Sequence, residues 1–206
     1  HEIKASEINW CILIYALVIG FLVGYKNLHV GDSAKFHFTL IGSLANNHIY
    51  PPITPFDFNQ NLSGYHFGII AISALFKIIC GFNPFMASAL QLGLQAAAFV
   101  TLIYSLFFIL NKDGNKSLLF TLVFVHFYAI LNKTLVIPWM VSRSHTLALS
   151  LSLVIIISII LLKQKNKQEH NWLAFITVLT PISFFLYFAF PADWYPIVAG
   201  IAAYLI

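Results

Sequence analysis

Among the side chains of this 206-residue sequence that can move a proton or grip an anion, the candidates for chemistry are scattered: Asp32, Asp57, Asp193, His37, Tyr65, His66, His145 and the single arginine, Arg143. A carboxylate can serve as a general base or orient an acceptor hydroxyl. A guanidinium offers a planar fork that donates two hydrogen bonds to one anion. Each residue also has an ordinary use. Asp32 stands where the N-cap of a following helix belongs, and Asp193 follows Pro191 in a turn-forming stretch. Arg143 lies beside an apolar run, where a cation can sit at a membrane edge. His37 falls among the apolar positions of its segment, which favours a packed role over a reactive one.

The elements that must position these groups are set by composition. Hydrophobic residues make up 60% of the chain, aromatics 16% and charged residues 9%, with a mean hydropathy of +0.85. A soluble domain carries charge on about a quarter of its residues, so this chain cannot coat a water-facing surface of its size. Disorder is excluded by the same apolarity. Nucleic acid is excluded as a partner, because the 11 basic and 7 acidic residues are spread thinly and build no basic face. The two cysteines, Cys11 and Cys80, form no framework or metal-ligand spacing.

A helix needs about 20 apolar residues to cross a bilayer core roughly 30 Å thick. Five runs meet or approach that length: 8–25, 84–110, 117–131, 145–162 and 172–190, with a sixth beginning near Ile197. They lack the period-two alternation of barrel strands. The expected fold is all-α, a polytopic transmembrane helix bundle forming one domain over 1–206. The sequence starts at His1 and breaks off within an apolar run at Ile206, as the N-terminal part of a larger membrane protein would.

Segment 65–80, YHFGIIAISALFKIIC, either crosses the membrane or lies in its interface. Lysine and arginine in short loops prefer the cytoplasm. With the N-terminus inside, the loops bearing Lys112 and Lys116 and bearing Lys163, Lys165 and Lys167 fall outside if the segment crosses; if it lies in the interface, they fall inside together with Lys4. The second topology is preferred. It makes 26–82 one long external region and 132–144 a second external loop, in a multi-pass protein of the plasma (inner) membrane.

Within the long external region, 31–47 reads as an amphipathic interface helix. Phe36, Leu40, Ile41 and Leu44 gather on one side, with Asp32, Lys35, Thr39 and Ser43 on the other. Pro51, Pro52 and Pro55 then forbid helix and favour an extended path past Asp57. Among the polar residues inside spans, Gln91 and Gln95 are one turn apart, His126 lies in the third run and Ser150, Ser152 and Ser158 in the fourth. The default for each is a hydrogen bond that joins helices.

One span, an acid opening an amphipathic helix (Gly31-Asp32), His37 on that helix, a Tyr50-Pro51-Pro52 turn, a YHFG segment from Tyr65 and a GFNP link into a long helix follow one another. This order resembles the polytopic glycosyltransferases of the GT-C superfamily over roughly 8–110. The resemblance implies transfer of a sugar from a polyprenyl-phosphate-linked donor to a glycan, lipid or protein acceptor at the outer membrane face. It also implies one or two interface helices in the first external loop.

Such chemistry needs an activated acceptor hydroxyl and stabilisation of a departing phosphate. On the resemblance, Asp32 is the catalytic carboxylate. Substrate contacts are expected from Asp57, Tyr65, His66, Arg143, His145, His37 and Asp193, with Arg143 placed to meet phosphate. Two departures from the family pattern stand out: His37 follows Asp32 by five residues where many relatives have four, and the loop NKTLVIPWMVSRSH carries no acid. No metal or other cofactor is therefore expected beyond the lipid-linked donor, which is a substrate. Two rival readings use the same composition: a transporter or lipid flippase, which needs polar groups at mid-membrane, and a non-catalytic membrane subunit.

Overall fold

A computed structural model describes residues 10–28, 32–47, 67–131 and most of 150–160. Every regular element among them is helical, with α1 Trp10–Leu28, α2 Asp32–Asn47, α3 Phe67–Cys80, α4 Pro84–Asn111 and α5 Gly114–Leu131; further helical positions fall within 150–160. The all-α expectation is met in the described residues. The runs expected at 172–190 and beyond Ile197 lie outside them.

The two tight links among the described residues are written in their capping residues. Gly81 ends α3 in the left-handed region at φ 68 and donates its N–H to the Lys77 carbonyl at 3.0 Å, a conformation that costs glycine nothing. Asn83 caps α4, its side chain accepting the Met86 N–H at 2.8 Å, and Pro84 takes the first turn, where its missing N–H does no harm. At the other end Lys112 closes α4 at φ 56, with its N–H on the Phe108 carbonyl at 2.8 Å. Asp113 opens α5 by accepting the N–H groups of Asn115 and Lys116 at 3.0 and 3.1 Å.

α4 is the central helix and meets all four others. Its 28 residues extend about 42 Å, and among the described helices it alone is long and apolar enough to cross a membrane; the apolar stretches Trp10–Lys26 and Ile70–Cys80 are shorter. α1 packs on it through small residues. A Cβ added to Gly20 would lie 2.5 Å from the Gly93 carbonyl oxygen, and one added to Gly24 would lie 2.8 Å from that of Ala89. As residue numbers rise along α1 they fall along α4, so the two helices are antiparallel. The signal for this contact is a Gly-x3-Gly spacing in α1 facing Ala89, Gly93 and Ala97 in α4, a pattern that lets helix backbones approach closely.

α3 folds back along the first half of α4. Ser73 and Gln91 are equally distant in sequence from Phe82, each about 13 Å from the turn by helical rise, and they share a hydrogen bond. Two helices splayed at a right angle could not make that contact. α2 rests on this hairpin with Phe38, Leu40, Ile41 and Ala45 buried among Ile70 and Ala74 of α3, while Thr39 and Asn46 are exposed. The amphipathic reading of 31–47 holds for these residues. α2 also reaches the start of α4, where Phe38 and Phe85 have ring centroids 4.2 Å apart.

Polarity is distributed inside out. Ser73, Ser88, Gln91, Gln95, Ser117, Thr121 and Ser150 are buried, whereas Trp10, Leu13, Ile14, Leu17, Val18, Phe21 and Tyr25 form a continuous exposed strip down α1. α5 likewise exposes Leu119, Phe120, Val123, Phe124 and Phe127. Exposed apolar area of this extent marks contact with something other than water.

Candidate functional site

Three places in the described bundle bear on function. The first is the end where α1 finishes and α4 begins. α2 starts at Asp32, four positions after α1 ends at Leu28, so the favoured acid belongs to this end of the bundle. His37, one turn on, is half-buried in α2, in keeping with its place among apolar positions. Lys77 near the end of α3 donates to Asn46 Oδ1 of α2 at 3.1 Å. The remaining expected site residues, Asp57, Tyr65, His66, Arg143, His145 and Asp193, lie outside the described residues, so their convergence on Asp32 stays an expectation. No group of three His, Cys, Asp or Glu side chains that could hold a metal ion occurs among the described residues.

The second place is the seam between α3 and α4. The Ser73 hydroxyl donates to Gln91 Oε1, so Gln91 does join two helices. Gln95, one turn further, does not: its Oε1 and Nε2, and the Nε2 of Gln91, are buried without a partner. The two side chains are 9% and 1% exposed. Each buried polar group left unmet costs about 1–3 kcal/mol, so a pair of adjacent glutamines in this state calls for a reason. Nothing in the sequence separates Ser73 from any other helix serine; its meaning comes from what it faces.

The third place joins α1 to α5. The Tyr15 hydroxyl lies 2.8 Å from His126 Nε2, with ring centroids 5.7 Å apart in an edge-on arrangement. A neutral imidazole accepts that hydroxyl proton at Nε2. His126 is thus a helix-joining residue as expected, and Tyr15 is the partner that sequence reasoning missed. One further ionic group stands apart, at the α4–α5 turn. The backbone N–H of Lys116, followed by that of Asn115 and the Lys116 ammonium, holds the exposed Asp113 carboxyl below the usual carboxylate range, against a smaller opposing effect of burial. Its salt bridge to Lys116 spans 3.7 Å and is worth little on an exposed surface.

Chemically, the first place holds the start of α2 at Asp32 and the Lys77–Asn46 bond at one end of an apolar bundle, and the second offers neutral hydrogen-bonding groups within it. The chain matches no family model, no curated protein and no solved structure.

Proposed function

We propose that the chain is a polytopic membrane enzyme of the GT-C type, which transfers a sugar from a polyprenyl-phosphate-linked donor to an acceptor at the outer face of the plasma membrane. The membrane part of this reading rests on the inverted polarity of the bundle: apolar side chains face outward on α1 and α5 while serines, glutamines and a threonine are buried. Trp10 and Tyr25, both exposed near opposite ends of α1, suit the two aromatic belts of a bilayer.

With those belts as boundaries, Tyr25 is level with the first turns of α4, because Gly24 faces Ala89. α2, resting against Phe85 and Pro84, then lies at the membrane surface. Because α1 and α4 are antiparallel, the chain leaves and re-enters at the same face between them. That favours an external region 26–82 and no complete crossing by 65–80. α3, about 21 Å long, descends beside α4 as a re-entrant arm, which refines the expectation of a segment lying flat.

The single observation that carries the catalytic part is the start of α2 at Asp32. On the membrane reading α2 is an interface helix that opens at this acid, and we assign its carboxylate to orienting or deprotonating an acceptor hydroxyl. Asp32→Asn should abolish transfer from a polyprenyl-phosphate sugar in reconstituted vesicles while leaving the protein folded. Undiminished transfer would remove Asp32 from the mechanism. The unmet amides of Gln91 and Gln95 favour a second reading, transport, since carriers place polar groups within the membrane. Uptake of solute by vesicles without any sugar transfer would establish it instead.

A further inference from the structure

The described helices fall into two packing units. α1, α4 and part of α5 share one apolar cluster, built on residues such as Ile19, Leu92 and Val125. α2 and α3 share another, built on Phe38, Ile41, Ile70 and Ala74. Ligand sites form preferentially at boundaries of this kind. This boundary contains a polar tie between α3 and α4, Ser73 to Gln91, next to the unmet Gln91 Nε2 and the unmet amide of Gln95.

The unmet valences define a complement. Two amide nitrogens need acceptors and one carbonyl oxygen needs a donor. A hydroxyl does both, since it donates once and accepts twice, whereas a phosphate or a bare carbonyl offers only acceptors. Ser73, Gln91 and Gln95 carry no charge, so nothing in the set compensates an ionic ligand.

The seam also has a means of opening. Gly81, at φ 68, joins α3 to α4, and nothing lies within 4 Å of where its Cβ would be. Lys77 is bonded to Asn46 within the α2–α3 unit and would travel with it. Two of the contacts between this unit and α4, Phe38 on Phe85 and Gly42 near Pro84, lie at the hinge end.

We infer that the α3–α4 seam is a binding site for a neutral, hydroxyl-bearing group, admitted when the α2–α3 unit swings about Gly81. The membrane position of the seam makes a lipid headgroup the expected source, with a free polyol as the other. The inference rests on the membrane reading and is independent of sugar transfer, so Asp32→Asn should leave it untouched.

The test is thermal unfolding of the whole chain in phosphatidylcholine vesicles, alone, doped with diacylglycerol, or with added glycerol. Diacylglycerol should raise the unfolding temperature by about 5 °C near saturation, and Gln95→Leu should lose that rise while unfolding no lower than the parent in phosphatidylcholine alone. Glycerol stabilises proteins generally by exclusion, so a free polyol is identified only if its effect is larger in the parent than in Gln95→Leu. If Gln95→Leu does not fold, Gln95→Met, close to glutamine in volume and without the amide, takes its place and should lose the rise. No rise with either probe, or an equal rise in Gln95→Leu or Gln95→Met, overturns the inference.

Discussion

Tyr15 and His126 show how a half-buried contact within an apolar bundle should be weighed. Their 2.8 Å hydrogen bond links α1 to α5, but the unfolded chain in a membrane also finds partners for its polar groups, so such bonds average about 0.6 kcal/mol there. Tyr15→Phe should therefore cost roughly 0.5–1 kcal/mol, and a double-mutant cycle with His126→Phe should return a coupling of about the same size. Asp113 acts in water and by charge. Its carboxyl is held below the ordinary range chiefly by the Lys116 N–H. Its contribution is thus complete above the unfolded carboxylate pKa and is lost as pH falls through the lower folded value. Asp113→Ala should lower the unfolding temperature at neutral pH, and the gap to the parent should close as the solution is acidified. Asp32 was legible in the sequence because an acid before an amphipathic run announces a helix start, and α2 does begin there. Ser73 and Tyr15 were not legible, because a hydroxyl in a helix acquires its role only from the residue across the interface.

The helices themselves were largely readable as apolar runs: 84–110 and 117–131 correspond closely to α4 and α5. Length and hydrophobicity say nothing, however, about which helices touch. In a membrane the hydrophobic effect does not drive helices together, so close packing must. The Gly20 and Gly24 positions supply that packing. Gly20→Ala would place a Cβ 2.5 Å from a backbone oxygen and should force α1 and α4 apart, at a cost of about 1–3 kcal/mol. Gly42→Ala is the matched comparison, since its Cβ would meet Pro84 Cγ at 3.7 Å. That is ordinary contact, and the substitution should be neutral or gain up to about 1 kcal/mol from helix propensity. Equilibrium unfolding in detergent micelles measures both. The GFNP link predicted a turn from its residue types, but the fold-back of α3 onto α4 brings Ser73 to Gln91, a pairing that no local signal encodes.

At the scale of the whole molecule, an inside-out bundle set in a bilayer would have the α3–α4 turn and the α4–α5 turn at opposite faces. Composition made the apolar helices legible, while their order around α4 came only from packing. The most direct measurement is the depth of spin labels at three positions in reconstituted vesicles, read by their collisions with oxygen, which concentrates in lipid, and with a polar nickel complex, which stays in water. With Cys11 and Cys80 replaced by serine, a label at Leu17, exposed on α1, should meet oxygen and be shielded from nickel. Labels at Phe82 and Asn115, both exposed, should be reached by nickel, each from a different side of the vesicle. A Leu17 label open to nickel, or Phe82 and Asn115 labels reached from the same side, would contradict the account.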